Sequence, residues 1–225
     1  MQLSQTRRRY KDMTRLAILS DPICPWCYIG KTRLDRALEQ RGDHDMIVSW
    51  HPYMLNPDMP AEGMDRREYL ENKFGGKEGA IRVYSQIDEA AKGDGLELNF
   101  AGIKRTPNTL DAHRLIHWAG IEQKQNVVVD RLFKAYFMEG RDISDHSVLV
   151  RIASAAGMDG DAVQRLLNTD EDAAPIMEAV EDARKKGVSG VPCFVVDGVH
   201  VVNGAQPIEL WLNVIDEITE KSKNS

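Results

Sequence analysis

Two cysteines separated by two residues, Cys24 and Cys27, are the side chains of this 225-residue sequence best suited to chemistry. Pro25 and Trp26 lie between them. Side chains three positions apart on a helix share a face, with Cβ atoms about 5–6 Å apart, which is close enough for a disulfide. The pair therefore predicts reversible thiol–disulfide chemistry. The spacing alone leaves two alternatives open, half of a metal site or two inert buried thiols.

The segment around the pair predicts how the two sulfurs differ. Arg15–Asp21 has the apolar run of a short buried strand, Pro22 ends it, and a helix is predicted from Pro25 onward. Cys24 then lies beside a helix N-terminus, where free amides and the positive end of the dipole favour a thiolate over a thiol. We therefore expect Cys24 to be the nucleophile and Cys27, one turn deeper, to be the resolving thiol.

Composition excludes several classes of protein. The chain has only three cysteines, the third being Cys193, which are too few for a disulfide scaffold or for a four-thiolate zinc site. A net charge of −6 argues against a dedicated nucleic-acid binder or membrane-surface binder. No apolar stretch approaches the roughly 18–20 residues that span a bilayer, and the first twelve residues lack the apolar region of an export signal. These features predict the cytoplasm, where structural disulfides are rare.

The hydrophobic pattern predicts two parts of different kind. Residues 15–60 have a β-α-β pattern and residues 175–222 an α-β-β-α pattern, which together predict one α/β unit. Residues 61–174 carry helical stripes, with only Leu96–Phe100 resembling a strand, and predict an all-helical insertion. Residues 1–14 are expected to be a flexible tail.

Local signals predict the bounds of several elements. Pro107 is typical of the first turn of a helix and Gly120 of its end. Cys193–Val196 and Val199–Val202 have the composition of two strands, and Asp197-Gly198 between them predicts the tight turn of a hairpin.

A proline just before the first strand of that hairpin gives the resemblance to a known fold. The Cys24–Cys27 motif near the N-terminus and Gly190-Val191-Pro192 before the hairpin resemble the thioredoxin fold in its DsbA-like branch. The resemblance implies a thioredoxin fold with an all-helical domain inserted between the β-α-β and α-β-β-α parts. It also implies that the bond between Val191 and Pro192 is cis, that this loop lies against the cysteine pair, and that Val191 offers its backbone to substrate.

Four longer motifs resemble one branch of this family, the FrnE-type oxidoreductases. They are residues 20–30 (SDPICPWCYIG), 56–60 (NPDMP), 111–118 (DAHRLIHW) and 139–144 (EGRDIS). This resemblance implies a thiol–disulfide oxidoreductase that acts through a mixed disulfide on a disulfide-containing protein or a small-molecule thiol. Glutathione is a candidate redox partner, and no metal or other cofactor is expected. Pro25, Trp26 and Asn56 are expected to bind substrate together with Val191 and Pro192.

Two other functions remain open on the sequence. Kappa-class glutathione transferases and 2-hydroxychromene-2-carboxylate isomerases resemble this chain around Asn56 and the Val191-Pro192 loop, but they carry a serine where Cys24 stands. A paired thiol favours redox chemistry over theirs. The other alternative is a non-catalytic thioredoxin-like binding module or chaperone, whose inserted helices hold client proteins.

Further residues have both a chemical and a structural interpretation, and we favour the structural one for each. Cys193 could exchange with the redox pair or complete a three-sulfur metal site, but free cysteine also packs well on a central strand. His113 and His117 are one helical turn apart and could bind zinc, but helix histidines more often form ordinary hydrogen bonds. Asp21 could relay protons or hold its loop through a local hydrogen bond.

The residues between the two cysteines also bear on the redox potential. Neither Pro25 nor Trp26 carries a cation that would further stabilise the Cys24 thiolate. The sequence therefore predicts a couple less oxidising than that of a Cys-Pro-His-Cys enzyme, and largely reduced under cytosolic conditions. The sequence specifies neither the substrate nor the oligomeric state.

Overall fold

The computed structural model describes residues 13–42 and 44–223, with side chains described as far as residue 220. Most of the predicted tail, residues 1–14, lies outside these residues, and the prediction is wrong for Thr14, which begins the first strand. None of the helices in the described ranges is long and apolar enough to cross a membrane.

The chain forms its elements in the following order. The list is β1 (Thr14–Ser20), α1 (Pro25–Arg41), β2 (Met46–Pro52), β3 (Met64–Asp65), α2 (Arg66–Phe74), α3 (Lys77–Gly93), β4 (Arg105–Thr106), α4 (Leu110–Ile121), α5 (Gln125–Phe133), a π-helical turn (Lys134–Met138), α6 (His146–Ala155), α7 (Gly160–Leu167), α8 (Ala173–Lys185), β5 (Cys193–Val196), β6 (His200–Asn203) and α9 (Ile208–Lys223). This mixed α/β order confirms the predicted fold class.

A four-stranded sheet with the strand order β2-β1-β5-β6 brings the two ends of the chain together. Strand β1 pairs in parallel with β2 and antiparallel with β5. The register of the second pair places Leu19 opposite Cys193. Because β1 ends one residue after Leu19 and β5 begins at Cys193, the segments that follow β1 and precede β5 emerge at the same edge of the sheet.

Helices pack on both faces of this sheet. On one face, the Phe194 ring lies 4.6 Å from the Trp211 ring of α9, and a Cβ built on Gly30 of α1 would lie 3.4 Å from the Phe194 ring. On the other face, Cys193 and Leu19 line a groove together with Ala183 of α8. Because side chains alternate along β5, Phe194 and Cys193 therefore lie on opposite faces of the sheet.

Stacked aromatic rings join the inserted segment to α1. The Tyr28 ring of α1 lies 5.0 Å from that of Phe133 and 6.0 Å from that of Phe137. The Lys31 ammonium lies 3.4 Å from the Asp130 carboxylate. Burial of these rings favours a fixed position of the insertion against the helix that carries the cysteine pair.

The prediction that residues 61–174 are all helical is wrong in one place. Strands β3 and β4 form a two-residue antiparallel ladder, with Met64 opposite Thr106. The expected strand Leu96–Phe100 is absent, because its alternating residues pack as irregular chain against the two hydrophobic clusters. The elements of the sheet unit begin at Thr14 and at Ala173, close to the predicted 15–60 and 175–222. The division into two domains stays a prediction.

Two predicted element ends also differ from the structure. Helix α4 begins at Leu110 rather than Pro107, because the Asn108 side chain accepts a hydrogen bond from the Leu110 amide and donates one to the Met59 carbonyl. It ends at Ile121, so that Gly120 lies inside it. The strand predicted from Val199 begins at His200, since the Val199 amide closes the turn by bonding to the Val196 carbonyl.

Candidate active site

Cys24 is the N-cap residue of α1. Its amide donates to the Asp21 carbonyl at 2.9 Å, and its own carbonyl accepts from the amides of Cys27 and Tyr28 at 3.1 and 3.3 Å. Pro25 follows in the first helical position, where its missing N–H costs nothing. The structure therefore places Cys24 at the helix tip and Cys27 in the first turn, as expected from the sequence.

The loop before β5 lies against this helix tip. The Cys24 thiol donates to the Val191 carbonyl oxygen over a Sγ–O distance of 3.6 Å. The peptide bond between Val191 and Pro192 is cis. Pro192 is buried, and a Cβ built on Gly30 would lie only 3.0 Å from its Cγ. Glycine at position 30 thus allows α1 to approach the loop that carries Val191.

A cavity of about 230 Å³ opens over Cys24 between the sheet unit and the insertion. Pro25, Trp26 and Val191 line it together with Cys24. Residues of α2, α3 and the π-helical turn form its far wall; they include Arg66, Tyr69, Lys73, Tyr84 and Tyr136. Cys24 itself is only 4% exposed, whereas Trp26 is 37% exposed. The cavity is therefore the route by which a substrate would reach the Cys24 sulfur.

Cys27 lies below Cys24 and is only 1% exposed. All three cysteines, including Cys193, are free thiols. The pKa of the Cys27 thiol is raised well above its usual value. Burial is the largest cause, and the hydrogen bond to Cys24 and the charge of Cys24 act in the same direction. A thiol held protonated in this way is a poor nucleophile in the resting state, which suits the resolving role expected for Cys27.

Asp21 is a fully buried carboxyl three residues before Cys24. Its side-chain oxygens accept from the Leu55 amide at 2.7 Å and from the Ile23 amide at 3.2 Å. Burial raises the pKa of Asp21 to about 6, against the smaller opposing effect of those amides. The hydrogen bonds fit the structural role that we expected, and the raised pKa also lets the group bind or release a proton near neutral pH.

Comparison with known proteins agrees with this geometry. The family model of the DSBA-like thioredoxin domain matches residues 15–216. The chain belongs to this family. Among solved structures, the probable DsbA oxidoreductase SCO1869 from Streptomyces coelicolor is similar to this DsbA-like chain, with a TM-score of 0.80, 28% identity, and coverage of 92% of this chain and 90% of that one.

Two further comparisons cover the DsbA-like chain almost completely. The uncharacterized protein YwbO of Bacillus subtilis (strain 168) is 26% identical over 210 residues, which are 92% of this chain and 98% of that protein. The cytosolic disulfide reductase DsbM from Pseudomonas aeruginosa, solved with GSH, has a TM-score of 0.65 and 18% identity, over 92% of this chain and 99% of that one. At this lower identity the second comparison shows the shared fold.

Asn56 lies outside the set of residues that line the cavity, although sequence reasoning placed it with the substrate-binding residues. Its side-chain oxygen accepts from the Tyr69 hydroxyl at 2.9 Å, and Tyr69 does line the cavity. Its Nδ2 is buried without a hydrogen-bond partner among the described residues. Asn56 therefore contacts the cavity through Tyr69 and retains an unused donor.

Sequence reasoning missed the cationic and hydroxyl groups that α2 contributes to the cavity. Arg66, Tyr69 and Lys73 lie at positions i, i+3 and i+7, which is the spacing of one helix face. That periodicity within the basic and aromatic segment 66–74 was the available signal. Two cations therefore line the Cys24 cavity, although neither residue between the two cysteines is charged.

Cys193 lies apart from the Cys24 cavity in this DsbA-like fold. It is 1% exposed, and its side chain lines the groove beneath α8 with Leu19 and Val195. Burial raises the pKa of the Cys193 thiol. Within residues 13–42 and 44–223, no group of three His, Cys, Asp or Glu side chains could hold a metal ion.

The two helix histidines have different environments. His113 is 2% exposed, and burial lowers its pKa to about 4, so it is neutral at pH 7. His117, on the same helix, is exposed. Neither residue lines the Cys24 cavity. The placement of His113 fits a packed neutral side chain.

Proposed function

We propose that this chain is a thiol–disulfide oxidoreductase of the DsbA-like family, with Cys24 as nucleophile and Cys27 as resolving thiol. The observation that carries the proposal is the Sγ–O distance of 3.6 Å between Cys24 and the Val191 carbonyl, at the base of a cavity. A disulfide substrate lying along Val191 would present its sulfur to Cys24. The family assignment supports disulfide chemistry in general, and the two thiols of the Cys-Pro-Trp-Cys motif support this particular mechanism.

The reaction divides between the two cysteines. The Cys24 thiolate attacks one substrate sulfur, the substrate S–S bond breaks, and the first substrate thiolate leaves. The Cys27 thiol then loses its proton and attacks the Cys24 sulfur, releasing the second substrate thiolate and leaving a Cys24–Cys27 disulfide. Asp21, whose main-chain carbonyl accepts from the Cys24 amide at 2.9 Å, has a pKa that burial raises to about 6, and we propose its carboxyl as the acceptor of the Cys27 proton.

The finer parts of the proposal concern the branch, the redox partner and the location. The four motifs of residues 20–30, 56–60, 111–118 and 139–144 support the FrnE-type branch. Glutathione is proposed as the redox partner, since DsbM, which shares this fold, was solved with GSH. The cytoplasm remains the predicted location. The reduction potential of the Cys24–Cys27 pair, measured by equilibration in glutathione buffers, would show whether the protein reduces or oxidises its substrates. A strongly oxidising potential would contradict the predicted, largely reduced couple.

Three single variants test the mechanism. Insulin reduction by a dithiol, catalysed by the protein, should be abolished by Cys24→Ser. Cys27→Ser should instead accumulate a mixed disulfide on Cys24, because the resolving thiol is missing. Cys193→Ser is the matched control, since that thiol is equally buried but lines a different groove, and it should keep the activity.

Other outcomes would favour the alternatives considered above. Glutathione conjugation or isomerisation that survives Cys24→Ser would identify a glutathione-dependent transferase or isomerase. Client binding that no cysteine variant changes, with no insulin reduction by the unmodified chain, would identify a binding module or chaperone.

A further inference from the structure

Arg66 is a buried cation with no acidic partner. Arg66 is only 6% exposed. Its Nη1 atom donates to the Tyr136 hydroxyl at 2.8 Å, and its Nη2 atom donates to the Tyr84 hydroxyl at 2.9 Å. Its guanidinium carbon lies 5.7 and 5.2 Å from the centroids of the same two rings. Among the described residues, no Asp or Glu oxygen lies within ion-pair distance of Arg66.

The other buried cations of the described chain are neutralised. Arg114 is 2% exposed and forms an ion pair with Asp111 at 2.7 Å. Lys31 is 6% exposed and its ammonium lies within 4 Å of two carboxylates, those of Asp35 and Asp130. A buried charge without a counterion carries a desolvation cost that tyrosine hydroxyls and ring faces offset only in part. An anion bound at Arg66 would supply the missing compensation.

Arg66 lines the cavity over Cys24 and also a second cavity of about 550 Å³, which Asp65 and Glu71 line as well. The side chains that line the cavity of about 230 Å³ over Cys24 include Arg66 and Lys73 but no Asp or Glu. Thr106 also lines it, and its side chain forms a hydrogen bond with Tyr136. In a chain of net charge −6, this makes the cavity a local positive site, which attracts anions.

We propose that Arg66 binds a carboxylate of a small disulfide substrate while Cys24 attacks that substrate's sulfur. This inference rests on the proposed oxidoreductase function and narrows its substrate class. Arginine suits a carboxylate because its planar fork of five N–H donors, two of which the tyrosines use here, can bind both oxygens. The size of the cavity fits one half of a low-molecular-weight disulfide rather than a folded chain.

The reaction balances without another reagent when the protein starts reduced. The Cys24 thiolate forms a bond to one substrate sulfur, and the carboxylated thiolate on the other side leaves. The Cys27 thiolate then displaces the half bound at Arg66. Two protein thiols are oxidised to one disulfide, one substrate disulfide is reduced to two thiols, and the two protein protons go to the leaving thiolates or to solvent.

The test compares three symmetric disulfides of similar length and different charge. Dithiodipropionate carries carboxylates, bis(2-hydroxyethyl) disulfide is neutral, and cystamine carries ammonium groups. Reduced protein is mixed with each in excess, and single-turnover rate constants are divided by those of free dithiothreitol to remove intrinsic reactivity. We expect the corrected rate with the carboxylate to exceed the neutral rate by roughly tenfold, as a charge-assisted hydrogen bond allows, and cystamine to be slowest.

Substitutions assign this preference to one side chain. Arg66→Gln should bring the ratio of carboxylate to neutral rates close to one. Arg67→Gln is the matched control, because Arg67 is adjacent, exposed, paired with Glu71 and absent from the Cys24 cavity, and it should keep the ratio. Since each ratio is measured within one protein, partial loss of folded protein cancels. If Arg66→Gln does not fold, Arg66→Lys replaces it and should reduce the ratio while keeping the same order of substrates.

The outcomes separate this inference from the function on which it rests. Failure to react with any of the three disulfides would overturn the oxidoreductase proposal itself. Reaction without a charge preference in the unmodified protein, or a preference unchanged in both Arg66 variants, would overturn only the carboxylate subsite. A second arm uses cystine peptides with Glu or Gln beside the half-cystine. If the carboxylate preference appears only with these peptides, the substrate is a protein with an acidic residue beside its half-cystine. That result would overturn the proposal of a small-molecule substrate.

Discussion

The Cys24 sulfur lies 3.6 Å from the carbonyl oxygen of Val191, a residue 167 positions later in the chain. Two features of the fold produce this contact. Pairing of Leu19 with Cys193 brings the ends of β1 and β5 to one edge of the sheet. Glycine at position 30 then lets α1 pack closely on Pro192. The contact therefore depends on residues that have no chemical role of their own.

Gly30→Ala should disturb this contact. The added Cβ would lie 3.0 Å from the Pro192 Cγ and 3.4 Å from both the Ala205 Cα and the Phe194 ring, so the Pro192 ring beside Val191 must give by a few tenths of an ångström. Overpacking of this kind costs about 1–3 kcal/mol. We expect a lower free energy of unfolding in urea and slower disulfide exchange.

Gly93→Ala is the matched control for that variant. Gly93 is the last residue of α3, and a Cβ there would meet nothing within 4 Å. Alanine is favoured over glycine in helices by up to about 1 kcal/mol. The control should keep the exchange rate and be as stable as the unmodified chain or slightly more so. Equal effects of the two variants would contradict the role given to Gly30.

Alkylation should distinguish the three thiols. Cys24 lines an open cavity, whereas burial raises the pKa of both Cys27 and Cys193. At pH 7, iodoacetamide should therefore modify one thiol per folded chain, and peptide mapping should identify it as Cys24. All three thiols should react in urea. Modification of Cys27 or Cys193 before Cys24 would be evidence against the assigned nucleophile.

Much of the fold was predictable because its signals are local. The apolar run of Arg15–Asp21, the proline after Cys24 and the Asp197-Gly198 turn each act within a few residues, and the elements that they predict are present. The start of α4 was not predictable in this way, because it depends on hydrogen bonds of Asn108 to Leu110 and to the distant Met59.

The site was predictable in its sulfurs but not in its charge. Cys24 and Cys27 were predicted from their spacing, and Val191 from the resemblance to the DsbA-like family. The structure brings Cys24 and Val191 together, and their catalytic roles stay predictions. Arg66 and Lys73 were missed, because their position over Cys24 depends on how the insertion packs against α1 rather than on any motif. No cation lies between the two cysteines in the sequence, but α2 contributes two cations to the cavity over Cys24.

The buried acid Asp21 should make stability depend on pH. Its pKa is about 6 in the folded chain and 3.8 as the reference value, so the folded state binds its proton more strongly. This group's contribution to stability is present below pH 3.8 and is lost as the pH rises through about 6. Between pH 4 and pH 8, the free energy of unfolding of Asp21→Asn should therefore rise relative to the unmodified chain by roughly 2–2.5 kcal/mol.

The measurement is urea unfolding of both proteins at several pH values. At each pH, the free energy of unfolding of the unmodified chain is subtracted from that of the variant. The asparagine can satisfy only one of the Leu55 and Ile23 amides, and this lowers the variant's stability by an amount that does not depend on pH. A difference that stays constant from pH 4 to pH 8 would show that Asp21 does not titrate in the way proposed, and would remove it as the acceptor of the Cys27 proton.

His113 should act in the opposite direction over much of the same range. Burial lowers its pKa from 6.5 to about 4, so the unfolded chain binds the proton more strongly than the folded chain. Stability from this group is present above pH 6.5 and is lost as the pH falls toward 4, by roughly 3 kcal/mol. In the unmodified chain this loss offsets the gain from Asp21, so the pH profile from these two groups should be shallow. His113→Gln should expose the Asp21 effect alone, and its free energy of unfolding should rise relative to the unmodified chain by that amount between pH 7 and pH 4. A parallel pair of profiles would contradict a buried neutral histidine at this position.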